Sequence, residues 1–237
     1  MARGTHRNLV ILTGAGISAE SGIRTFRDAD GLWEDHRIED VATPEAFARD
    51  PVLVQRFYNL RRAQLLEKSL APNAGHLALA RLEEEWDGDF LLVTQNVDNL
   101  HERAGSRRLL HMHGELQKVL CLSCEGRSSW TMDLNAEIPC PRCQTSGQLR
   151  PDIVWFGEMP YHMDVIQESL ESCGLFLAIG TSGQVYPAAG FVRWAGRAHK
   201  IELNPLSTPV SDDFDEHVRG PASVTVPALV EKLLASV

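Results

Sequence analysis

No apolar run in these 237 residues approaches the ~18 needed to cross a membrane as a helix. Near the N-terminus only Leu9–Leu12 is apolar before Thr13 and two glycines, too short for a signal-peptide core. Positive charge is also scarce. Lys plus Arg is 23 against 32 Asp plus Glu, a net charge of -9 and a pI near 5.5. That balance excludes a broad nucleic-acid footprint and an anionic membrane surface as partners. It suits cationic partners such as lysine-bearing proteins. There is no fixed-period repeat and no low-complexity segment. Cysteine is sparse, at 121, 124, 140, 143 and 173, and four of the five cluster, unlike a disulfide framework. The chain is expected to be cytoplasmic, where disulfides are rare.

What is present is an ordinary folded composition, 43% hydrophobic and 23% charged. The length fits one large domain, or one domain with a small insert. Short apolar runs predict strands at Asn8–Leu12, Asp89–Thr94, Arg108–His113, Asp152–Phe156, Leu175–Gly180, His199–Asn204 and Ser223–Val226. Helical patterns fall at Pro51–Ser69, Pro72–Trp86, Met163–Ser172, Ala188–Ala198 and Ala228–Ala235. Asp50 is a good N-cap, and Pro51 suits a first helical position. Strands alternating with helices predict an α/β fold, a Rossmann-like parallel sheet with helices on both faces. Two stretches interrupt the alternation. Residues 24–88 read as a helical insert and 115–149 as a loop-rich cysteine module, together a small second lobe. Residues 1–23, 89–114 and 150–237 make the main domain.

The first strand runs into Gly14-Ala15-Gly16-Ile17-Ser18-Ala19, a G-x-G-x-x-A turn opening a helix. Here Gly14 permits the tight turn and Gly16 allows a pyrophosphate close to the backbone. The acid that usually reads the ribose is out of place. Glu39 and Asp40 have the right spacing, but no strand precedes them, so a dinucleotide would be held differently from the way a dehydrogenase holds it.

Cys121-x-x-Cys124, fifteen residues, then Cys140-x-x-Cys143 is the spacing of a four-thiolate zinc site. Four protein ligands leave no position for water or substrate, so the metal, one per chain, is structural. Cys173 reads as a buried, inert thiol. Polar residues gather at strand ends: Gln95, Asn96 and Asp98, then His111 and His113, then Thr181 and Ser182, then Asn204. Carboxyl ends of parallel strands line the ligand crevice of such sheets. On a strand His111 and His113 would share a face, and either could be a proton carrier or a structural histidine.

These residues, with Gly22-Ile23-x-x-Phe26-Arg27, His113-Gly114-Glu115 and Phe156-Gly157-Glu158, resemble the sirtuin family in order and spacing, closest to its class III bacterial type. The resemblance implies an NAD-dependent lysine deacylase. In that reaction the acyl oxygen attacks the ribose carbon bearing nicotinamide, a base deprotonates the ribose hydroxyls, and the acyl group ends on ADP-ribose. It implies His113 as the base. It implies NAD contacts at Gly14, Ala15, Gly16, Ser18, Ala19, Glu20, Phe26, Arg27, Trp33, Gln95, Asn96, Asp98, Gly180, Thr181, Ser182 and Asn204, with a backbone contact from Ala222 before the last strand. Val154, Phe156, Gly157 and Glu158 match the segment that takes acylated-lysine peptide as an added strand. Tyr58 and Arg61 match the class III pair that reads an acidic acyl tail, and Ala42 the small residue that makes room for it. Desuccinylation and demalonylation are therefore expected beside deacetylation, by a monomer. The competing functions are protein mono-ADP-ribosylation from the same site, a non-catalytic NAD- or peptide-binding zinc module, and, against the missing acid, a dehydrogenase.

Overall fold

The computed structural model describes residues 8–23, 32–33 and 36–235, for 32–33 the backbone alone. In chain order the elements are β1 (Leu9–Thr13), α1 (Ala15–Ser18), β2 (Leu32–Trp33), β3 (His36–Arg37), α2 (Ile38–Val41), α3 (Pro44–Arg49), α4 (Pro51–Leu65) and α5 (Ala74–Glu85). Next come β4 (Phe90–Thr94), α6 (Leu100–Ala104), β5 (Leu109–His111), β6 (Gly114–Cys121), β7 (Arg127–Ser129) and β8 (Leu149–Ile153). The last are α7 (Met163–Ser172), β9 (Leu175–Ile179), α8 (Phe191–Trp194), β10 (His199–Leu203), β11 (Glu216–Val218) and α9 (Ala222–Leu234).

Six parallel strands form the main sheet in the order β11-β10-β9-β1-β4-β5. Alternate residues of each strand face opposite layers. On one face Ile11, Leu92, Leu177 and Ile201 pack on Leu79 and Leu82 of α5 and Val226 and Leu229 of α9. On the other, Val10, Leu12, Val93 and Phe176 pack on Ile166 and Leu170 of α7 and Phe191 of α8. Chain order reverses between β1 and β9, which is where a parallel sheet opens a crevice at its carboxyl edge.

The small lobe has two cores. One joins α4 to a second sheet through Val54, Tyr58, Leu65, Leu116, Ile153 and Trp155. The other holds Val119, Cys121, Trp130, Leu134, Cys140 and Leu149. The helix expected from Pro51 ends at Leu65; the Asp50 carboxylate accepts from Leu53 N at 2.9 Å. Thr43, whose hydroxyl accepts from Ala46 N, caps the short α3, which the sequence pattern did not reveal.

Four expectations are corrected. Residues 223–226 are helical, and β11 is the last strand. Val224, Thr225 and Val226 are β-branched, but Ala222, Val226, Leu229 and Val230 fall at helical spacing onto the core, and that burial outweighs local propensity. Residues 74–85 do not belong to the insert, because Leu79 and Leu82 lie against the main sheet. The strand expected at 152–156 is β8, which pairs antiparallel with β6 in a three-stranded sheet with β7, not in the main sheet. The helix expected over 188–198 is only a short 3-10 turn followed by α8.

Candidate active site

Between the two lobes lies a cavity of about 430 Å³ at the carboxyl ends of β1, β4 and β9. Gly14, Ala15 and Gly16 line it, yet the reason for the glycines differs from the expected tight turn. Gly14 has extended backbone, φ -125°. A Cβ on Gly14 would meet the Gly180 carbonyl oxygen at 2.7 Å, and one on Gly16 would meet Gly180 Cα at 2.6 Å. The loops after β1 and β9 therefore touch backbone to backbone, and Gly180 itself sits at φ +62°.

Asn96 braces this loop from the end of β4. Its Nδ2 donates to Gly14 O and to Ser18 Oγ, both at 3.1 Å. The Ser18 hydroxyl donates to Asp98 Oδ2 at 3.0 Å, and Asp98 Oδ1 accepts from Leu100 N. Burial raises the Asp98 pKa, against these hydrogen bonds. Gln95, Thr181 and Ser182 also line the cavity. Asn204 does not, but its Nδ2 donates to Thr181 O at 2.7 Å and so fixes that wall. Ala19 and Glu20 stand off the cavity too. The Glu20 carboxylate accepts from Ser223 N and Oγ and caps α9. Ala222 opens that helix rather than preceding a strand, and its carbonyl packs beside Gly75. Phe26 and Arg27 lie outside the described residues, as does the Trp33 side chain.

The two histidines do not share one strand face, because β5 ends at His111 and a turn follows. Only His113 lines the cavity. Its Nδ1 lies 3.1 Å from the Gln95 carbonyl oxygen. A carbonyl only accepts, so Nδ1 carries the hydrogen and Nε2 keeps its lone pair. Burial lowers the His113 pKa, more than the Gln95 hydrogen bond raises it, and keeps the ring neutral near pH 7. Such a ring can accept a proton at Nε2.

On the small-lobe side Ala42, Tyr58, Val154, Phe156, Gly157 and Glu158 all reach the cavity. Tyr58 is fully buried, its hydroxyl oxygen accepts from Trp155 Nε1 at 2.9 Å, and burial raises its pKa, so the phenol stays protonated. Arg61 is 8% exposed, with its guanidinium 3.3 Å over the Phe57 ring and Nη1 on the Phe57 carbonyl. Arg61 does not line the cavity among the described residues; it stands one turn behind Tyr58. Glu158 grips Arg150 with both oxygens, at 2.6 and 2.9 Å, and accepts from Trp155 N. Its carboxylate therefore staples the 154–158 turn. Trp155, Val185 and Tyr186 also line the cavity without having been expected. Trp155 falls within residues 154–158, but nothing local distinguishes Val185 or Tyr186 from any loop residue.

Away from the cavity, the Cys121–Cys143 Sγ pair is 3.7 Å apart and the Cys124–Cys140 pair 3.9 Å. All four sulfurs fall within 4.8 Å of one another. A tetrahedron of Zn–S bonds near 2.3 Å has edges of about 3.8 Å. The thiolates fit a closed zinc site and are too far apart for disulfides. Cys173 is buried, with its pKa pushed up to about 11 by burial, which makes it inert.

Comparison with known proteins converges on this geometry. The Sir2 family model matches residues 14–187. The chain is 66% identical over 228 residues to an NAD-dependent protein deacylase of Bdellovibrio bacteriovorus, covering 96% of this chain and 97% of that one. It is 59% identical over 228 residues to one from Escherichia coli K12, covering 95% and 82%. A solved Sir2 homologue in complex with NAD matches at TM-score 0.86 and 40% identity, covering 97% and 91%. A Sir2 protein bound to a myristoylated histone peptide matches at TM-score 0.74 and 30% identity, covering 96% and 91%. With its cavity, glycine loop and thiolate cluster in the corresponding order, the chain belongs to the Sir2 family.

Proposed function

We propose that the protein is an NAD-dependent protein-lysine deacylase. The observation that carries this is His113, a neutral imidazole with Nδ1 held by the Gln95 carbonyl, in the same cavity as the Gly14–Gly16 loop. NAD fits that cavity. Its floor is glycine backbone, its wall carries Asn96, Asp98 and Ser18, and its volume, about 430 Å³, suits a large ligand. Bound NAD supplies the ribose carbon that the acyl oxygen attacks, with nicotinamide as leaving group. His113 Nε2 takes the proton from a ribose hydroxyl, and Gln95 keeps the ring in that tautomer. Asn96 and Asp98 hold the nicotinamide side, and Thr181 and Ser182 the adenosine side. Trp155 and Phe156 help exclude water as the peptide lies along residues 154–158. The zinc is structural. The described chain contains no helix long and apolar enough to cross a membrane, and a monomer acting in the cytoplasm is the simplest setting for this chemistry.

Tyr58 and Arg61 extend the proposal to acidic acyl groups. Val54, Tyr58, Arg61 and Leu65 form one buried stripe of α4, so Arg61 does not snorkel into solvent. A phenol in the cavity wall with a guanidinium one turn behind it is a pair suited to a carboxylate tail. A hydrogen bond to a charged group is worth about 1.5–3 kcal/mol, or roughly 10–150-fold. Arg61→Met is expected to slow succinyl- and malonyl-lysine turnover by about that factor and leave deacetylation largely intact. Tyr58→Phe is a less clean probe, because it also strands Trp155 Nε1.

The test compares acetyl-, succinyl- and malonyl-lysine peptides at equal NAD, measuring released nicotinamide and acylated ADP-ribose. Covalent label on an acceptor protein would mark an ADP-ribosyltransferase. Reduced-cofactor absorbance would mark a dehydrogenase, and saturable binding without turnover a non-catalytic module. Equal losses on acetyl and succinyl peptides in Arg61→Met would remove the specificity claim.

A further inference from the structure

We propose that Glu102 and His111 are positioning residues for His113, acting through the consecutive carbonyls of Gln95 and Asn96. The kinetic part of this rests on the deacylase reading above; the geometric part does not. His111 is buried at the end of β5 and does not line the cavity. Its Nδ1 is 3.1 Å from the Asn96 carbonyl oxygen, and its Nε2 is 2.6 Å from Glu102 Oε1. The His111 contact holds the Glu102 pKa down against burial, so its carboxylate is ionised and, like the carbonyl, accepts; both ring nitrogens then donate, and the ring is an imidazolium. A neutral ring would turn a lone pair onto one of the two oxygens.

One residue earlier, the Gln95 carbonyl accepts from His113 Nδ1, and the Asn96 N–H donates to Thr94 Oγ1 at 3.1 Å. Gln95 C=O and Asn96 N–H belong to one rigid peptide plane. That plane is gripped by His113 and Thr94, and the next carbonyl is gripped by His111. If His111 releases Asn96, the plane can rotate, and the acceptor that fixes the His113 tautomer rotates with it.

The surroundings favour the charged ring. Facing it are Glu102 and His101 from α6, Asp98 from the preceding turn, and Glu115 of β6, itself paired with Lys118 Nζ at 2.5 Å. Burial opposes charge on His111, but the Glu102 hydrogen bond and the Glu102 and Glu115 charges outweigh it and raise its pKa. His101 is kept neutral by burial. Donor atoms of Glu102, His111 and Glu115 lie within 4.8 Å of one another, but both His111 nitrogens are already committed as donors, which argues for a proton-bridged pair over a metal site.

The experiment uses the full-length protein. Imidazole ¹H–¹⁵N spectra, without ligands at pH 7, should show His111 protonated on both nitrogens and His113 on Nδ1 alone. His111→Ala should mix the His113 tautomers. Misplacement by an ångström can cost about 10²-fold in rate, and the indirect, partial release expected here should cost roughly 10-fold in kcat, with peptide KM unchanged. In Glu102→Gln the amide can donate to Nε2, so a neutral His111 suffices. That variant should keep its activity at alkaline pH, where the wild type declines as His111 loses its proton. An unchanged His113 tautomer in His111→Ala overturns the proposal. Should that variant fail to fold, an alkaline limb in Glu102→Gln identical to the wild type overturns it. The expected spectra without NAD-dependent turnover would leave the positioning intact and refute the deacylase.

Discussion

His113→Ala is expected to lose about 10²–10⁴-fold in turnover, the usual contribution of a positioned proton acceptor. NAD affinity and the folded spectrum should persist, because among the described residues the one side-chain hydrogen bond given up is that to the Gln95 carbonyl. The comparison with His111→Ala is informative, since the two rings are two residues apart and make similar carbonyl contacts. The roughly 10-fold loss expected there is smaller because His111 acts at one remove. A reversal of the two would put the base on the wrong histidine. The pH profile supplies a second check. Burial lowers the His113 pKa, so the base form survives to more acidic pH, and the acid limb of kcat/KM should fall below the ordinary imidazole range. An acid limb at or above that range would contradict a buried, neutral base.

Loss of zinc should cost stability and activity together. Elemental analysis is expected to find about one zinc per chain, as a closed four-thiolate site implies. Cys121 ends β6, the strand that begins at Gly114, directly after His113. The same strand carries Leu116 into the core beneath α4 and Val119 into the core beside the thiolates. Closed zinc sites contribute folding free energy outright, about 10–16 kcal/mol of apparent binding in isolated finger peptides. Here β6 also pairs with β8, so part of the fold is expected to persist without metal. Chelation, or Cys121→Ser or Cys140→Ser, should therefore lower the melting temperature and change Trp130 fluorescence before the main sheet unfolds. Activity should fall in parallel, through the shift of β6 next to His113. A metal-free protein with full activity and unchanged melting temperature would show that the cluster is dispensable.

Local chemistry made several features legible from residues alone. Buried strands stood out because they are apolar on both faces, and the capped start of α4 because Asp50 and Pro51 leave little choice. The cysteine spacing implied its tetrahedron, since two short knuckles suffice to bring four sulfurs together. The glycine positions were also legible, although the cause was not. Gly14 and Gly16 admit the backbone of Gly180, more than 160 residues away in the chain, and no local rule contains that contact.

Fold class and the cysteine quartet were thus legible from short-range pattern, since periodicity, caps and spacing need only neighbours in the chain; the candidate base was not, because His111 and His113 stayed open on the residues alone and only the resemblance to the sirtuin family singled out His113. Tertiary structure alone decided the rest. It put Ser223–Val226 in a helix, because burial on a core outweighs β-branched propensity. It moved residues 74–85 from the insert to the main sheet, and it separated His111 from His113 by ending β5 between them. It also set the charge of each ring, which depends on which oxygens stand opposite its nitrogens. Those oxygens belong to Gln95, Asn96 and Glu102, brought to the histidines by the packing of β4 and α6 against β5.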